Sequence, residues 1–262
     1  MHKFNNDWLF YREKIDAISR NKKIIEKINI YFKDYKILSI ADLGCGTGSN
    51  YRYMHPKIKV KQKWDMIDIS FESIKEFKKI TADTNKIINI NYKKFDLIKD
   101  IKKFKFENYD LITGSAYLDI MPKEWFYEFK KQNLNTKVIY FSINYDGYFK
   151  FYPKHKDDEY VLQLFNKDQE SDKGIGKKAV GKNCSQIINK VFTKTHKTFV
   201  LNSNWDVSKN KIFQDMFINF CENVIKKNKI SLEPWIKFRR ENIRLNKSKL
   251  LLRNKDFLAL KL

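Results

Sequence analysis

The feature that most constrains this chain is a glycine-rich turn placed directly after an apolar run. Residues 35–43 are mostly apolar and predict a buried strand, and Gly44, Gly46 and Gly48 follow it. Glycines let the backbone turn sharply and bring its N–H groups close to a ligand at the start of the next helix. The turn therefore predicts the first strand-loop-helix unit of a cofactor-binding sheet, although the glycines alone fit several nucleotide-like cofactors.

Strand-like and helix-like segments alternate after this turn. Short apolar runs are separated by segments with helical spacing, and Pro122 suits the first residue of a helix. The alternation predicts an α/β fold of the Rossmann-like, doubly wound kind, with a mostly parallel seven-stranded sheet. After the first strand, the predicted strands are 63–68, 87–92, 109–113, 138–143, a strand near 198–202 and a last strand through 257–260.

The length of 262 residues suits one α/β domain better than two. We expect a single domain over 1–262, beginning with one or two amphipathic helices that form a lid at 1–34. The stretch 144–182, beyond the fifth strand, is expected to be an insert that determines substrate specificity. Within and after it, the predicted elements are a helix over 158–166, a loop over 171–182, a helix over 212–225 and a shorter helix near Trp235.

Composition argues against several classes of protein. Hydrophobic residues make up 42% of the chain and charged residues 32%, as in soluble globular proteins rather than disordered ones. No apolar stretch suits a signal peptide or a membrane span, and the three cysteines form no CxxC pair, so we expect a cytoplasmic protein without disulfides or a membrane partner. The net charge of +22 would suit nucleic acid, but only seven of the 53 basic residues are arginine, which favours a solvated lysine-rich surface.

Two acidic residues and a serine follow the next strands at the same edge of the predicted sheet. Asp68 ends the second strand twenty residues after Gly48, Asp96 follows the third strand, and Ser115 lies at the end of the fourth. A carboxylate at the position of Asp68 can accept hydrogen bonds from ribose hydroxyls, and one at the position of Asp96 can accept from an adenine amino group. The alternatives are a helix-capping role for Asp68 and an exposed loop position for Asp96.

In order and spacing, these residues resemble the class I S-adenosylmethionine (AdoMet)-dependent methyltransferase family over about 37–143, with features of a bacterial small-molecule branch outside it. The family pattern is an acid-Leu-Gly-x-Gly-x-Gly loop with acids after strands two and three. The resemblance implies that the loop holds the methionyl part and ribose, that Asp68 holds the ribose and that Asp96 contacts adenine, with S-adenosylhomocysteine (AdoHcy) as product. The implied cofactor-binding set is Asp42, Gly44, Cys45, Gly46, Gly48, Asp68, Ile69, Asp96, Leu97 and Ser115.

A basic residue in the predicted lid is a further candidate for cofactor binding. Arg12, Asp16 and Arg20 are spaced four residues apart and share one face of a helix. Arg12 could hold the methionine carboxylate of AdoMet through two parallel hydrogen bonds. The alternative is an ion-pair ladder on the protein surface.

The candidate catalytic residues are Asp119 and Asp146. In this fold the loop after strand four overhangs the transferred methyl group, so Asp119 is placed to deprotonate or orient an acceptor hydroxyl or amine, unless it caps the helix at Pro122. Asp146 lies in the predicted insert, beside aromatic residues. The residues expected to bind the acceptor are Tyr117, Tyr145, Asp168, Gln169, Asp172 and Lys173.

The predicted reaction is in-line methyl transfer to an oxygen, nitrogen or carbon atom of a small metabolite. Two alternatives stay open, an RNA methyltransferase and a binding module of the same fold without activity. Against the first, the end of strand four at 114–117 lacks the Asn/Asp-Pro-Pro-Tyr signature of amino-base methyltransferases. Asp42 and Asp96 disfavour a nicotinamide dehydrogenase. The histidines show no metal-ligand spacing, so no metal is predicted, and we expect a monomer or a homodimer.

Overall fold

The alternating strands and helices expected from the sequence are present in the computed structural model, which describes residues 6–80 and 89–262. Residues 87 and 88 of the expected third strand lie outside the described residues. Three strands follow the five of the alternating part. The strands are β1 Ile37–Leu43, β2 Lys61–Asp68, β3 Asn89–Lys94, β4 Leu111–Ser115, β5 Val138–Tyr152, β6 His196–Asn202, β7 Trp205–Asp206 and β8 Lys249–Lys261.

The strands form one sheet in the order β3-β2-β1-β4-β5-β8-β6, with the short β7 paired to β8. Strands β1 to β5 are parallel, whereas β8 lies antiparallel between β5 and β6. This is the Rossmann-like, mostly parallel α/β fold that the sequence predicts. The strand order reverses between β1 and β4, and in such sheets a crevice opens beyond the carboxyl ends of the strands at that point.

Helices cover both faces of the sheet. On one face, α2 (Lys22–Tyr31) buries Ile24 and Ile28 against β1 and β2. On the other face, α5 (Lys123–Gln132) and α7 (Cys184–Phe192) pack around Phe129 and Phe141. We did not predict α7, although its buried residues repeat at helical spacing. The helices are α1 Asn6–Ser19, α2 Lys22–Tyr31, α3 Ser49–Met54, α4 Phe71–Ile80, α5 Lys123–Gln132, α6 Asp158–Gln169, α7 Cys184–Phe192, α8 Lys211–Lys227 and α9 Glu233–Arg244.

A third apolar cluster forms where β5 and β8 extend beyond the other strands. Phe149 and Phe151 of β5, with Leu250 and Leu252 of β8, pack against α6, α8 and α9. Helix α1 joins this cluster because the Trp8 ring stacks on the Phe213 ring with centroids 4.6 Å apart. The C-terminal third of the chain therefore adds a core of its own beside the alternating part.

Three expected boundaries differ from the structure. Strand β5 continues to Tyr152, so the first nine residues of the stretch 144–182 belong to the sheet and not to an insert. Strand β8 begins at Lys249 rather than at 257, because β5 pairs with it from Lys249 to Leu260, whereas β6 pairs only with residues 255–261. Pro122 is the residue before α5 and not its first residue. Among the described residues, no helix is long and apolar enough to cross a membrane.

Candidate functional site

The loop between β1 and α3 is shaped by glycines in the left-handed region. Gly44 has φ of 64° and Gly46 has φ of 52°, and Gly48 ends the loop as the residue before α3. A Cβ at Gly44 would lie 2.6 Å from the ring of Tyr117, so only glycine fits there. A Cβ at Gly46 would meet no atom within 4 Å. Gly46 therefore presents bare backbone to open space, as close approach of a ligand requires.

Asp68, at the end of β2, holds this loop in place. Its Oδ2 accepts from the Gly46 N–H at 2.8 Å and its Oδ1 accepts from the Ser70 N–H at 2.8 Å. A carboxylate has about four acceptor positions, so each oxygen keeps one for a ligand hydroxyl. Burial raises the pKa of Asp68. The half-buried Ile69 follows it, and Cys45 is buried in the loop with its N–H donating to Ile67.

Asp42, the last acid of β1, is completely buried. Its Oδ1 accepts from Asn50 Nδ2 at 2.6 Å, and the same amide donates to Thr113 Oγ1 of β4 at 3.1 Å. The other oxygen, Oδ2, is buried without a hydrogen-bond partner among the described residues. Burial raises the pKa of Asp42 to about 7. The carboxylate thus has unused capacity to bind a positively charged or N–H-bearing ligand.

Arg20 is the basic residue that reaches the ends of β1 and β4. It is 3% exposed, its Nη1 donates to Asn50 Oδ1 at 2.6 Å and its Nη2 donates to Ser115 Oγ at 3.0 Å. Sequence reasoning placed Arg12, Asp16 and Arg20 on one helical face and proposed Arg12 for the methionine carboxylate, which stays a prediction. In the structure Arg12 Nε donates to Asp16 Oδ2 at 2.9 Å, within the same helix. That pair is largely buried rather than a surface ladder.

Asp96 and Leu97 lie between β3 and the segment leading to β4. Asp96 Oδ1 accepts from the N–H groups of Ile98 and Lys99, both at 3.0 Å, so this oxygen closes a turn. Leu97 is buried, and its carbonyl accepts from Trp125 Nε1 at 3.0 Å. The pair therefore has a structural role at the edge where adenine is expected.

Tyr117, predicted to bind the acceptor, packs over the glycine loop. Its ring packs over Gly44 and stacks near Phe141, with centroids 6.2 Å apart, and Trp125 lies edge-on at 5.6 Å. Burial, together with the charges of Asp68 and Asp96, raises its pKa. The side chain thus lies on the side of the β4 end that faces the glycine loop.

Asp119 lies in the short turn after β4. Its Oδ1 is buried and has no hydrogen-bond partner within the described part of the chain. Burial raises the pKa of Asp119 to about 6, although the positive charges of Arg12 and Lys173 act to lower it. Burial raises the pKa of Cys184 as well, and the charge of Asp119 raises it further. Charged side chains of α1 and of the loop after α6 therefore act on this carboxylate.

Tyr145 and Asp146, at the end of the parallel part of β5, both contact other side chains of the protein. Tyr145 is 8% exposed and donates to Asn166 Oδ1 at 3.0 Å. Asp146 pairs with Arg253 at 3.3 Å and with Lys255 at 3.7 Å, both on β8. This predicted catalytic residue is thus already neutralised across the sheet.

The remaining predicted acceptor residues lie at the end of α6 and in the loop that follows it. Asp168 pairs with Lys173 at 2.9 Å and Lys227 at 2.7 Å, which fixes the loop to α8. Gln169 is half-buried at the last turn of α6. Asp172 is exposed and accepts from backbone N–H groups of its own turn, including that of Ile175 at 2.7 Å. The charge of Lys173 thus acts on Asp119, whereas Asp172 stabilises its own turn. In residues 6–80 and 89–262, no group of three or more metal-binding side chains occurs.

Residues 40–132 match the family described as "Methyltransferase domain". No curated protein matches the chain by sequence. Among solved structures, a cyclopropane-fatty-acyl-phospholipid synthase-like protein from Lactobacillus casei is similar over 95% of this chain and 91% of its own, with a TM-score of 0.55 and 10% identity. The YcgJ protein from Bacillus subtilis is similar over 92% of this chain and 100% of its own, with a TM-score of 0.52 and 10% identity. At such identities the likeness shows the fold.

Proposed function

We infer that the class I AdoMet-dependent methyltransferase domain of this chain, over residues 40–132, methylates a nitrogen or oxygen atom of a small molecule. The proposal concerns the acceptor and the residues that serve it. The observation that carries it is the Oδ1 atom of Asp119, which is buried without a hydrogen-bond partner among the described residues, in the turn that follows β4.

The side chains at those strand ends fit AdoMet, the methyl donor of this class. Arg20 would hold the methionine carboxylate, and the unpartnered Asp42 Oδ2 would accept from the ammonium group. Asp68 would hold the ribose with its remaining acceptor positions, next to the bare backbone of Gly46. When bound, AdoMet supplies a methyl group already activated by its sulfonium. We assign the carboxylate to Arg20 rather than Arg12, because Arg20 reaches the ends of β1 and β4 through Asn50 and Ser115, whereas Arg12 pairs with Asp16 in its own helix.

Asp119 would act on the acceptor. With a pKa of about 6, its carboxylate is mostly ionised at neutral pH and can accept a hydrogen bond or a proton from an N–H or O–H group. A base whose pKa lies near the working pH combines the correct protonation state with a useful driving force for proton transfer. Asp119 therefore orients the acceptor atom and accepts its proton when methyl transfer releases it.

Arg12 and Lys173 would restrict which acceptors fit. They come from α1 and from the loop after α6, both outside the part that matches the family. Each is already paired with an aspartate, Asp16 and Asp168 respectively, so Asp119 is the carboxylate of this group without an ion-pair partner. This arrangement favours an acceptor that offers a hydrogen-bond donor to Asp119.

The test is incubation of the purified protein with deuterium-labelled AdoMet and an extract of the source organism that contains both its metabolites and its RNA. Mass spectrometry then measures the label in small molecules and in RNA. We expect the label in a small molecule with the wild type, and its loss with Asp119→Asn. The exposed Asp34→Asn is a matched control that leaves the labelling unchanged. Label appearing in RNA would support the RNA methyltransferase reading instead. Absence of label together with absence of AdoHcy binding would support the inactive binding module.

A further inference from the structure

The side chain of Tyr117 fills the space above the glycine loop. Two ring carbons, Cδ2 and Cε2, lie so close to Gly44 that a Cβ there would be 2.6 and 2.8 Å from them. The residue is 8% exposed, and its ring is supported from behind by Trp125 and Phe141. The face of the loop beside Gly46 is open by contrast. The ring thus covers the first glycine and leaves the second uncovered.

The same ring lies beside the acids at the ends of β2 and β3. It covers Gly44 in the loop whose Gly46 N–H donates to Asp68. The Trp125 ring that packs against it donates to the carbonyl of Leu97, next to Asp96. Burial raises the pKa of Tyr117, and the negative charges of Asp68 and Asp96 add to the effect. These are the two acids expected to meet the ribose and the adenine of the cofactor. A nucleoside that reaches from Asp68 to Asp96 would contact the Tyr117 side chain.

The backbone before Tyr117 is in an unfavourable conformation. Ala116 has φ of 50°, in the left-handed region that a residue with a Cβ rarely adopts. Its N–H donates to the Ser142 carbonyl at 2.8 Å, which holds the turn in place. Strain of this kind concentrates at functional sites, and its release lowers the cost of changing the direction of the next side chain.

We propose that Tyr117 is a gate on the cofactor site, and that its ring must turn away from Gly44 before the adenosyl part of AdoMet can bind. The proposal rests on the function proposed above only in naming AdoMet as the ligand. The closed position reduces the apparent affinity for AdoMet by the fraction of molecules that are open. It also makes opening of the ring a step that precedes binding.

The test compares AdoHcy binding to the wild type and to Tyr117→Leu, Tyr117→Ala and Tyr117→Phe by calorimetry and stopped-flow fluorescence. Leucine and alanine remove the aromatic ring, so we expect affinity to rise on the order of tenfold. Phenylalanine keeps the ring and should bind as the wild type does. For the wild type, the observed binding rate should level off with rising AdoHcy at the rate of ring opening. For Tyr117→Leu it should keep rising in proportion to AdoHcy.

Tyr127→Leu is the matched control, because Tyr127 is half exposed on α5, and its binding should not change. Thermal unfolding of each variant checks that the loss of packing on Trp125 and Phe141 leaves the fold intact, and Tyr117→Leu retains an apolar side chain if alanine does not. Equal or weaker AdoHcy binding by a folded Tyr117→Leu overturns the gate while leaving the methyltransferase function in place. If neither the wild type nor the variants bind AdoHcy, the cofactor assignment and the gate are both wrong.

Discussion

Nη2 of Arg20 donates a hydrogen bond to Oγ of Ser115 at 3.0 Å, although the two residues are 95 positions apart in the chain. The bond joins the residue after α1 to the last residue of β4. Asn50 accepts from the same guanidinium and donates to Asp42, so the end of β1 belongs to the same network. The N-terminal helices are therefore fastened to the edge of the sheet where the cofactor is proposed to bind.

Replacing Arg20 by lysine should weaken AdoHcy binding by on the order of tenfold or more, because a lysine cannot make the two parallel bonds of a guanidinium to a carboxylate. Binding of 5′-methylthioadenosine, which lacks the amino-acid carboxylate, should change much less. Calorimetry with both ligands measures the difference. Thermal unfolding of the variant checks that the buried network survives.

Arg12→Lys provides the comparison for that experiment. Since Arg12 is paired with Asp16, we expect its variant to bind both ligands as the wild type does. Suppose instead that Arg12→Lys weakens binding of AdoHcy but not of 5′-methylthioadenosine, and that Arg20→Lys binds both as the wild type does. Arg12 then binds the carboxylate, and the assignment to Arg20 is wrong.

Asp42 should make cofactor binding depend on pH. Its pKa of about 7 means that the carboxylate becomes ionised, and able to pair with the ammonium of AdoMet, as the pH rises from 6 to 8. The affinity ratio of wild type to Asp42→Asn should therefore increase over that range, and the ratio removes the titration of the ligand itself. Calorimetry at each pH gives the ratio.

The same carboxylate predicts the pH dependence of stability without ligand. Its folded pKa is raised above the usual value of 3.8, so the folded protein binds the proton more tightly than the unfolded chain. That stability is present below about pH 4 and is lost as the pH rises through about 7. Asp42→Asn should remove this part of the decline in melting temperature. The raised pKa would be contradicted if the affinity ratio stayed constant from pH 6 to 8 and the melting temperatures of both proteins showed the same pH dependence.

The parts of the site that follow directly from sequence are those in one strand-loop-helix unit. Gly44, Gly46 and Asp68 could be placed because a buried run, a turn and the end of the next strand fix their positions within about thirty residues. The fold followed from the same local alternation. The choice between Arg12 and Arg20 could not be made from sequence. Helical spacing shows that the two residues share one face of the helix, but not which of them lies level with the end of β4.

Longer strands and distant contacts were harder to predict for a related reason. Leu250 and Leu252 alternate with exposed residues as in a strand, but only pairing with β5 over ten residues extends β8 to Lys249. For Tyr117, the position in the chain after β4 does not indicate which side of that strand end the side chain occupies. Its packing over Gly44 depends on a left-handed Ala116, which no pattern of residue types indicates.

The ion pair between Glu13 and Arg52 should hold α1 in place over the glycine loop. Arg52 Nε and Nη2 donate to the two carboxylate oxygens at 2.7 and 2.6 Å, and its Nη1 donates to the Thr47 carbonyl at 2.6 Å. Glu13→Gln should speed amide hydrogen exchange in α1 while costing at most about 1 kcal/mol of stability, because both side chains are partly exposed.

The control for α1 is Glu241→Gln, which breaks an exposed pair with Arg244 in α9. It should leave exchange in α1 unchanged. High salt should reduce the difference between Glu13→Gln and the wild type, since it screens the pair. Exchange in α1 that is equally slow in Glu13→Gln and the wild type would show that Trp8 packing alone holds the helix.

Asp119 should set the pH profile of methyl transfer. With the acceptor found by the labelling experiment, kcat/KM should rise tenfold per pH unit below about pH 6 and level off above it, because the ionised carboxylate is the active form. Asp119→Asn should lower kcat by about 10²–10⁴-fold and leave AdoHcy affinity unchanged, which separates a role on the acceptor from one on the cofactor. Its melting temperature should also exceed that of the wild type at pH 8 but not at pH 4, because burial disfavours the charged form. A variant that keeps the wild-type rate and profile would remove Asp119 from the mechanism.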